Sequence, residues 1–161
     1  MPAVTTAYVK NIIRRGFSEL VDPSPTREEQ DLIWAHFKST CAFCGRLLNR
    51  KAEEGRIDHL LAASKGGANA LGNRVLSCGC CNDKEKLDQQ WETFLAKKVN
   101  PSNEFAIRKK QILEWQSIHR LPDATHHRVL RDAADRIAAD VIKYFESSVS
   151  EIRILKDENL R

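Results

Sequence analysis

The chain has 161 residues, 42% of them apolar and 30% charged, with 26 Lys plus Arg against 22 Asp plus Glu and a formal net charge of +4. That length suits one compact domain or a small module with a helical appendage, and the apolar content excludes a disordered chain or a disulfide-dense miniprotein. No window approaches the roughly eighteen uninterrupted apolar residues of a membrane span, and Lys10, Arg14 and Arg15 interrupt the apolar stretch where a secretory signal would have its hydrophobic core. The expected setting is the reducing cytoplasm, where closely spaced cysteines point to metal or catalysis rather than disulfides.

Pattern and punctuation predict a helix over Val4 to Leu20, a break at Asp22-Pro23-Ser24-Pro25, and a second helix over Arg27 to Lys38 opened by a Thr26/Glu29 capping box. From Cys41 to Cys81 the helical period disappears. Arg56 to Leu61 and Leu71 to Ser77 read as two strands of a hairpin around the turn Lys65-Gly66-Gly67-Ala68-Asn69. All seven glycines lie at or before Gly79, and past Cys81 the only helix breakers are Pro101 and Pro122. The second half is therefore expected as helices over Asn82 to Lys98, Ser102 to His119 (N-cap Ser102) and Ala124 to about Lys156 (N-cap Asp123).

On the last helix Ile137, Val141, Tyr144 or Phe145, Val149 and Ile152 recur at three- and four-residue steps. This apolar face is expected to cover the rest of the domain, while its length also permits a homodimer through the C-terminal helix. His36, His119, His126 and His127 have no ligand-like neighbours and read as ordinary helix residues.

Three segments follow: 1–37, an N-terminal helical region; 38–98; and 99–161, a C-terminal helical region. The middle one holds eleven basic and seven acidic residues and all five cysteines, so it carries the whole net charge. Cys41-Ala42-Phe43-Cys44 and Cys78-Gly79-Cys80-Cys81 are two pairs, each with two intervening residues, separated by the 33 residues from Gly45 to Ser77. Such pairs read as a closed, tetrahedral, structural zinc site with ligands Cys41, Cys44, Cys78 and Cys81. Cys80, next to Cys81, is expected as a buried free thiol. Four thiolates and a Zn²⁺ lower the segment's charge by about two, so charge alone says little about nucleic acid. A zinc module that merely binds nucleic acid or a protein partner remains an alternative at this point.

Between the cysteine pairs lie Asp58-His59 on the first expected strand, Gly66-Gly67 in the turn and Asn73 on the second strand, with Asn82 immediately after Cys81. Together with the four cysteines and Lys86, this arrangement from about Cys41 to Lys86 resembles the HNH endonucleases, zinc-stapled members of the ββα-metal (His-Me finger) nucleases, in an HNN form with Asn82 where many members have a final histidine. The resemblance implies an α+β, mostly helical chain with a central ββα-metal module at 38–98 and flanking helices. It also implies DNA as partner, hydrolysis of phosphodiester bonds to 5′-phosphate and 3′-hydroxyl ends, and a role of restriction, defence or phage type. His59 becomes the general base, Asn73 the acceptor that orients its ring, and Asp58 with Asn82 the holders of a catalytic Mg²⁺ or Mn²⁺. Neighbouring strand residues face opposite sides, so Asp58 and His59 serving one phosphate calls for local twist or a bulge. Lys65, Arg74, Lys84 and Lys86 are expected to hold the phosphate backbone. The basic run Arg108-Lys109-Lys110 reads first as a solvated helix face.

Overall fold

A computed structural model describes residues 5–99 and 103–158. Helices dominate, with one small antiparallel sheet, so the fold is α+β and mostly helical. Among the described residues five α-helices run in chain order: α1 (Thr6–Val21), α2 (Arg27–His36), α3 (Trp91–Lys98), α4 (Asn103–Ile118) and α5 (Ala124–Glu158). Two strands, β1 (Gly55–His59) and β2 (Arg74–Cys78), pair from Gly55↔Cys78 to His59↔Arg74. Among the described residues no helix is long and apolar enough to cross a membrane. The expected N-cap Ser102 lies outside the described residues.

The chain divides into two compact units, residues 24–124 and residues 1–23 with 125–161. The first contains the sheet. Its entry is fixed by the capping box at α2: Thr26 Oγ1 accepts from Glu29 N at 3.2 Å and Glu29 Oε2 accepts from Thr26 N at 2.8 Å, so two otherwise orphaned donors are satisfied. α2 and α4 then lock to each other reciprocally. His36 Nε2 donates to Gln111 O and Gln111 Nε2 donates to His36 O, both at 2.9 Å.

Ile33, Phe37, Phe43, Leu60, Val75, Leu76, Leu95, Ile112 and Trp115 form the buried core around β2, every residue of which is buried. Phe43 and Phe94 meet edge to face at 5.2 Å, and the Trp115 indole N–H donates to Leu71 O at 2.8 Å. A short strand of mixed composition is held here by the helices on it rather than by its own ladder, since a two-stranded hairpin is marginal in water.

Where one helix over Asn82 to Lys98 is expected, there are two elements. Cys80–Lys86 winds as a π-helix, and Leu87 takes a left-handed backbone (φ 50°) before α3 begins at Trp91. Every residue of this stretch is helix-compatible, so composition gives no warning. The break follows from burial: Lys86 is 0% exposed, and the wider winding turns it inward while keeping Cys81 against Cys78.

In the second unit α1 runs antiparallel to α5, tied by Lys10–Glu146 at 2.6 Å and His127–Asp22 at 3.3 Å. The α5 residues buried there are His127, Ala134, Ala138 and Ile142. This corrects the expected covering face in part: Phe145 and Val149 are half-buried, but Ile137, Val141, Tyr144 and Ile152 stay exposed, and the seam runs through the small Ala134 and Ala138 and through Ile142.

Candidate active site

The four cysteines come together as their spacing implies. The Sγ atoms of Cys41, Cys44, Cys78 and Cys81 all lie within 4.8 Å of one another, with Cys44 and Cys78 3.7 Å apart. A tetrahedral ion with metal–sulfur bonds of about 2.3 Å sets its sulfurs about 3.8 Å apart. Cys41, Cys78 and Cys81 are buried and Cys44 half-buried, so these residues are positioned to bind a zinc ion.

Electrostatics agree with the geometry. Hydrogen bonds from Cys44 and Cys81 hold the Cys41 thiol far below its usual range, while the same sharing pushes Cys44 up to about 11 and raises Cys81 as well. Thiolates this close repel one another, and a divalent ion among them would offset that repulsion.

Two loops present the cysteines. After Cys41-Ala42-Phe43-Cys44, Gly45 adopts φ +72°, and a β-carbon there would run into the Arg108 guanidinium, whose Nη1 donates to Cys41 O at 3.3 Å. Arg108 thus braces the first cysteine turn, and Lys109 pairs with Glu92 at 3.2 Å. Cys80, expected buried, is exposed: turned away from the cluster, it donates to Glu85 Oε1 at 3.4 Å, and that carboxylate raises its thiol.

His59 ends β1 and is half-buried. Its Nε2 lies 2.9 Å from Asn69 Oδ1, and Arg74 Nη1 lies 2.6 Å from Nδ1 and 2.5 Å from Nε2. Asn69 in the turn, not Asn73, is therefore the ring's amide partner. The Asn73 side chain, 2% exposed, instead staples the turn: Oδ1 accepts from Leu61 N at 2.8 Å, and Nδ2 donates to Leu61 O at 2.9 Å and Ala68 O at 2.8 Å. A β-carbon at Gly67 would overlap the Leu61 carbonyl, so the second turn glycine makes room for this staple.

Asn73→Ala removes three hydrogen bonds, one buried and two part-buried, and leaves their partners unpaired. At about 1 kcal/mol per bond the expected loss is about 2–4 kcal/mol, read as a lower urea midpoint. An unchanged midpoint would contradict the stapling role.

Asp58 is 7% exposed. Oδ1 accepts the His59 backbone N–H at 2.7 Å, and Lys86 Nζ stands 3.5 Å from Oδ1 and 3.4 Å from Oδ2, which accepts no hydrogen bond. Burial pushes the Asp58 carboxyl above its ordinary range, and the charges of Lys86 and Arg74 draw it back in part. The strand pairing runs without a bulge through Asp58↔Val75 and His59↔Arg74, so the two neighbours keep the alternating faces of a regular strand: the Asp58 carboxylate meets Lys86 and the His59 ring meets Asn69 and Arg74. Arg74 links them, touching the His59 ring and acting electrostatically on Asp58.

Asn82 sits inside the π-helix, its Nδ2 donating to Asp83 Oδ1 at 2.6 Å. Its contact is with Asp83, not with Asp58 or His59, and its carbonyl oxygen remains as a donor to a cation. The buried Asp58 Oδ2 and the Asn82 carbonyl are oxygen donors of the kind a hard divalent ion takes, although the Lys86 ammonium, 3.4 Å away, already stands against that Asp58 oxygen.

Of the four basic residues expected on the phosphate backbone, Lys65 and Lys84 are exposed, Lys65 within 3.5 Å of Asp88. Lys86 is corrected: fully buried between Asp58 and the Phe43 ring, it has no surface to offer DNA. Arg74, 9% exposed, belongs to the His59 site rather than to a surface track. Asn69 was visible in the sequence as a turn residue, but nothing in its spacing distinguishes it from the neighbouring asparagine.

A histidine at the end of a short hairpin, with a cysteine-bound metal position closing the hairpin onto a following helical turn, is the architecture of the ββα-metal nucleases. Residues 41–87 match the family model described as HNH endonuclease, and this stretch, somewhat under a third of the chain, is an HNH domain. Comparison with curated proteins and with solved structures gives no match. The HNH domain supports a nuclease-type function.

Proposed function

We propose that the HNH domain hydrolyses phosphodiester bonds of DNA with the help of a divalent ion, His59 acting as general base. The observation that supports this most is the ring's environment: an acceptor, Asn69 Oδ1, stands at Nε2 and a donor, Arg74, stands against the ring. Those partners suit a neutral imidazole with one nitrogen carrying a lone pair, the form a general base must have.

His59 takes a proton from the attacking water as its oxygen bonds to phosphorus. The bond from phosphorus to the 3′ oxygen breaks, and that oxygen leaves with the electron pair and collects a proton from solvent. Arg74 places permanent positive charge beside the reacting phosphate. Asp58 and Asn82 would hold Mg²⁺ or Mn²⁺, which when bound supplies positive charge to the phosphate and the departing oxygen. Lys65 and Lys84, exposed on the same module, contribute non-specific attraction to the backbone.

The reading is tested on an end-labelled linear duplex incubated with zinc-loaded protein. Cleavage should appear with Mg²⁺ or Mn²⁺, disappear when that ion is withheld, and leave 5′-phosphate ends. Intact duplex under every divalent ion, from a folded and zinc-loaded chain, would refute it.

A further inference from the structure

Half of the sixteen residues of α1 are apolar, yet none of them is buried, although the helix lies against α5. On one side of this hairpin an open groove is lined by Ile12, Ile13, Gly16, Phe17 and Leu20 of α1 and by Val141 of α5. Ile137 and Tyr144, four and three residues from Val141, extend the same face along α5. Leu20 and Tyr144 are 81% and 78% exposed. Gly16 stands at mid-helix, where glycine weakens a helix. A β-carbon there would meet nothing within 4 Å, so the middle of the groove is open to close approach by another helix.

Charge decides what fits this face. α1 holds three basic residues and one acidic, a net of +2, whereas α5 holds six basic and seven acidic, a net of −1. Arg15 borders the stripe three residues from Ile12, and Asp140 borders it three residues from Ile137 and four from Tyr144. Neither side chain has an ion pair or hydrogen bond among the described residues. Because Val141 shares the groove with residues 12–20 of α1, Arg15 and Asp140 stand at one height along the hairpin.

We propose that the groove takes a second copy of this chain, the two α1–α5 hairpins closing face to face into a four-helix bundle. A two-fold axis parallel to the helices lays α1 of one copy on α5 of its partner and preserves height. Arg15 then meets the partner's Asp140, twice by symmetry, and the partner's Val141 comes over Gly16. The other dyad, across the helices, would lay α1 on α1 and set like charge on like.

The test is sedimentation of the full, zinc-loaded chain over about 1 to 100 μM, the range in which a modest interface fills. Wild type should approach a closed dimer of twice the 18.3 kDa chain mass, with no larger species. Ile137→Glu, at an exposed helical position, should keep its helical circular dichroism and sediment as a monomer. Arg15→Glu and Asp140→Arg should each raise Kd about tenfold, since the dyad repeats the pair and each reversal sets like charges together. The double variant Arg15→Glu/Asp140→Arg should return Kd to near wild type.

A wild-type chain that stays monomeric over that range overturns the proposal and leaves the groove to a different partner. A dimer undisturbed by Ile137→Glu overturns it as well, because the copies then meet elsewhere. Single reversals that leave Kd unchanged, or a double variant that fails to recover, would overturn the pairing of α1 with the partner's α5.

Discussion

Cys41→Ser is expected to lose zinc and the fold of residues 24–124 together. Cys41 is fully buried, its backbone carbonyl accepts from Arg108 and its amide donates to Arg46 O at 2.9 Å, so the metal position, the first cysteine turn and α4 meet at this residue. Structural zinc in small modules contributes about 10–16 kcal/mol of apparent binding energy at neutral pH, against net stabilities of about 5–15 kcal/mol for whole domains. The hairpin it closes has five residues per strand and cannot hold itself. Zinc content by atomic absorption should fall from one ion per chain to near none, and the cooperative thermal transition should vanish. A Cys41→Ser protein that stays folded with one zinc would show that other ligands hold the metal. Cys80→Ser provides the contrast: exposed and bonded to Glu85, that thiol should be replaceable with zinc and melting unchanged.

His59→Ala is expected to lower single-turnover cleavage by about 10²–10⁴-fold, the usual contribution of a positioned general base, while zinc content and melting stay near wild type. The side chain is half-buried at the end of β1 and outside the hydrophobic core, so its removal opens no core cavity. Asn69→Ala should reach only part of that loss, since the ring keeps Arg74 as a partner. Asn73→Ala should act through stability. These two neighbouring asparagines thus separate by experiment: one changes rate in a folded protein, the other changes the folding midpoint.

The zinc position was legible because four like ligands at fixed short spacings leave few arrangements, and the α2 start because a capping box is a local, reciprocal bond pattern. The site's finer assignments were not, for a common reason. Asn69 and Asn73 are the same residue type four positions apart between β1 and β2, and only the path of the backbone decides which amide meets the His59 ring and which meets Leu61 and Ala68. Lys86 carries the composition of a surface helix and is nonetheless drawn inward to Asp58 by a π-helical winding that no spacing announces. Cys80 was expected buried from residue type, yet the geometry that points Cys81 at the metal points its neighbour outward. On α5 Ile137, Val141, Tyr144 and Ile152 stay exposed, while Ala134 and Ala138, which hydropathy ranks lower, join Ile142 in the seam. The basic run at Arg108 was likewise ambiguous until Arg108 proved to brace Cys41 and Lys109 to pair with Glu92.

The central claim is that this HNH domain cuts DNA through His59. The most direct measurement incubates supercoiled plasmid with Mg²⁺ or Mn²⁺ and compares wild-type protein with His59→Ala, both purified to equal zinc content. Wild type should convert the plasmid to nicked or linear forms and His59→Ala should leave it supercoiled over the same time. Equal conversion by both proteins would contradict His59 as the base, and no conversion by a folded, zinc-loaded wild type would contradict the nuclease itself.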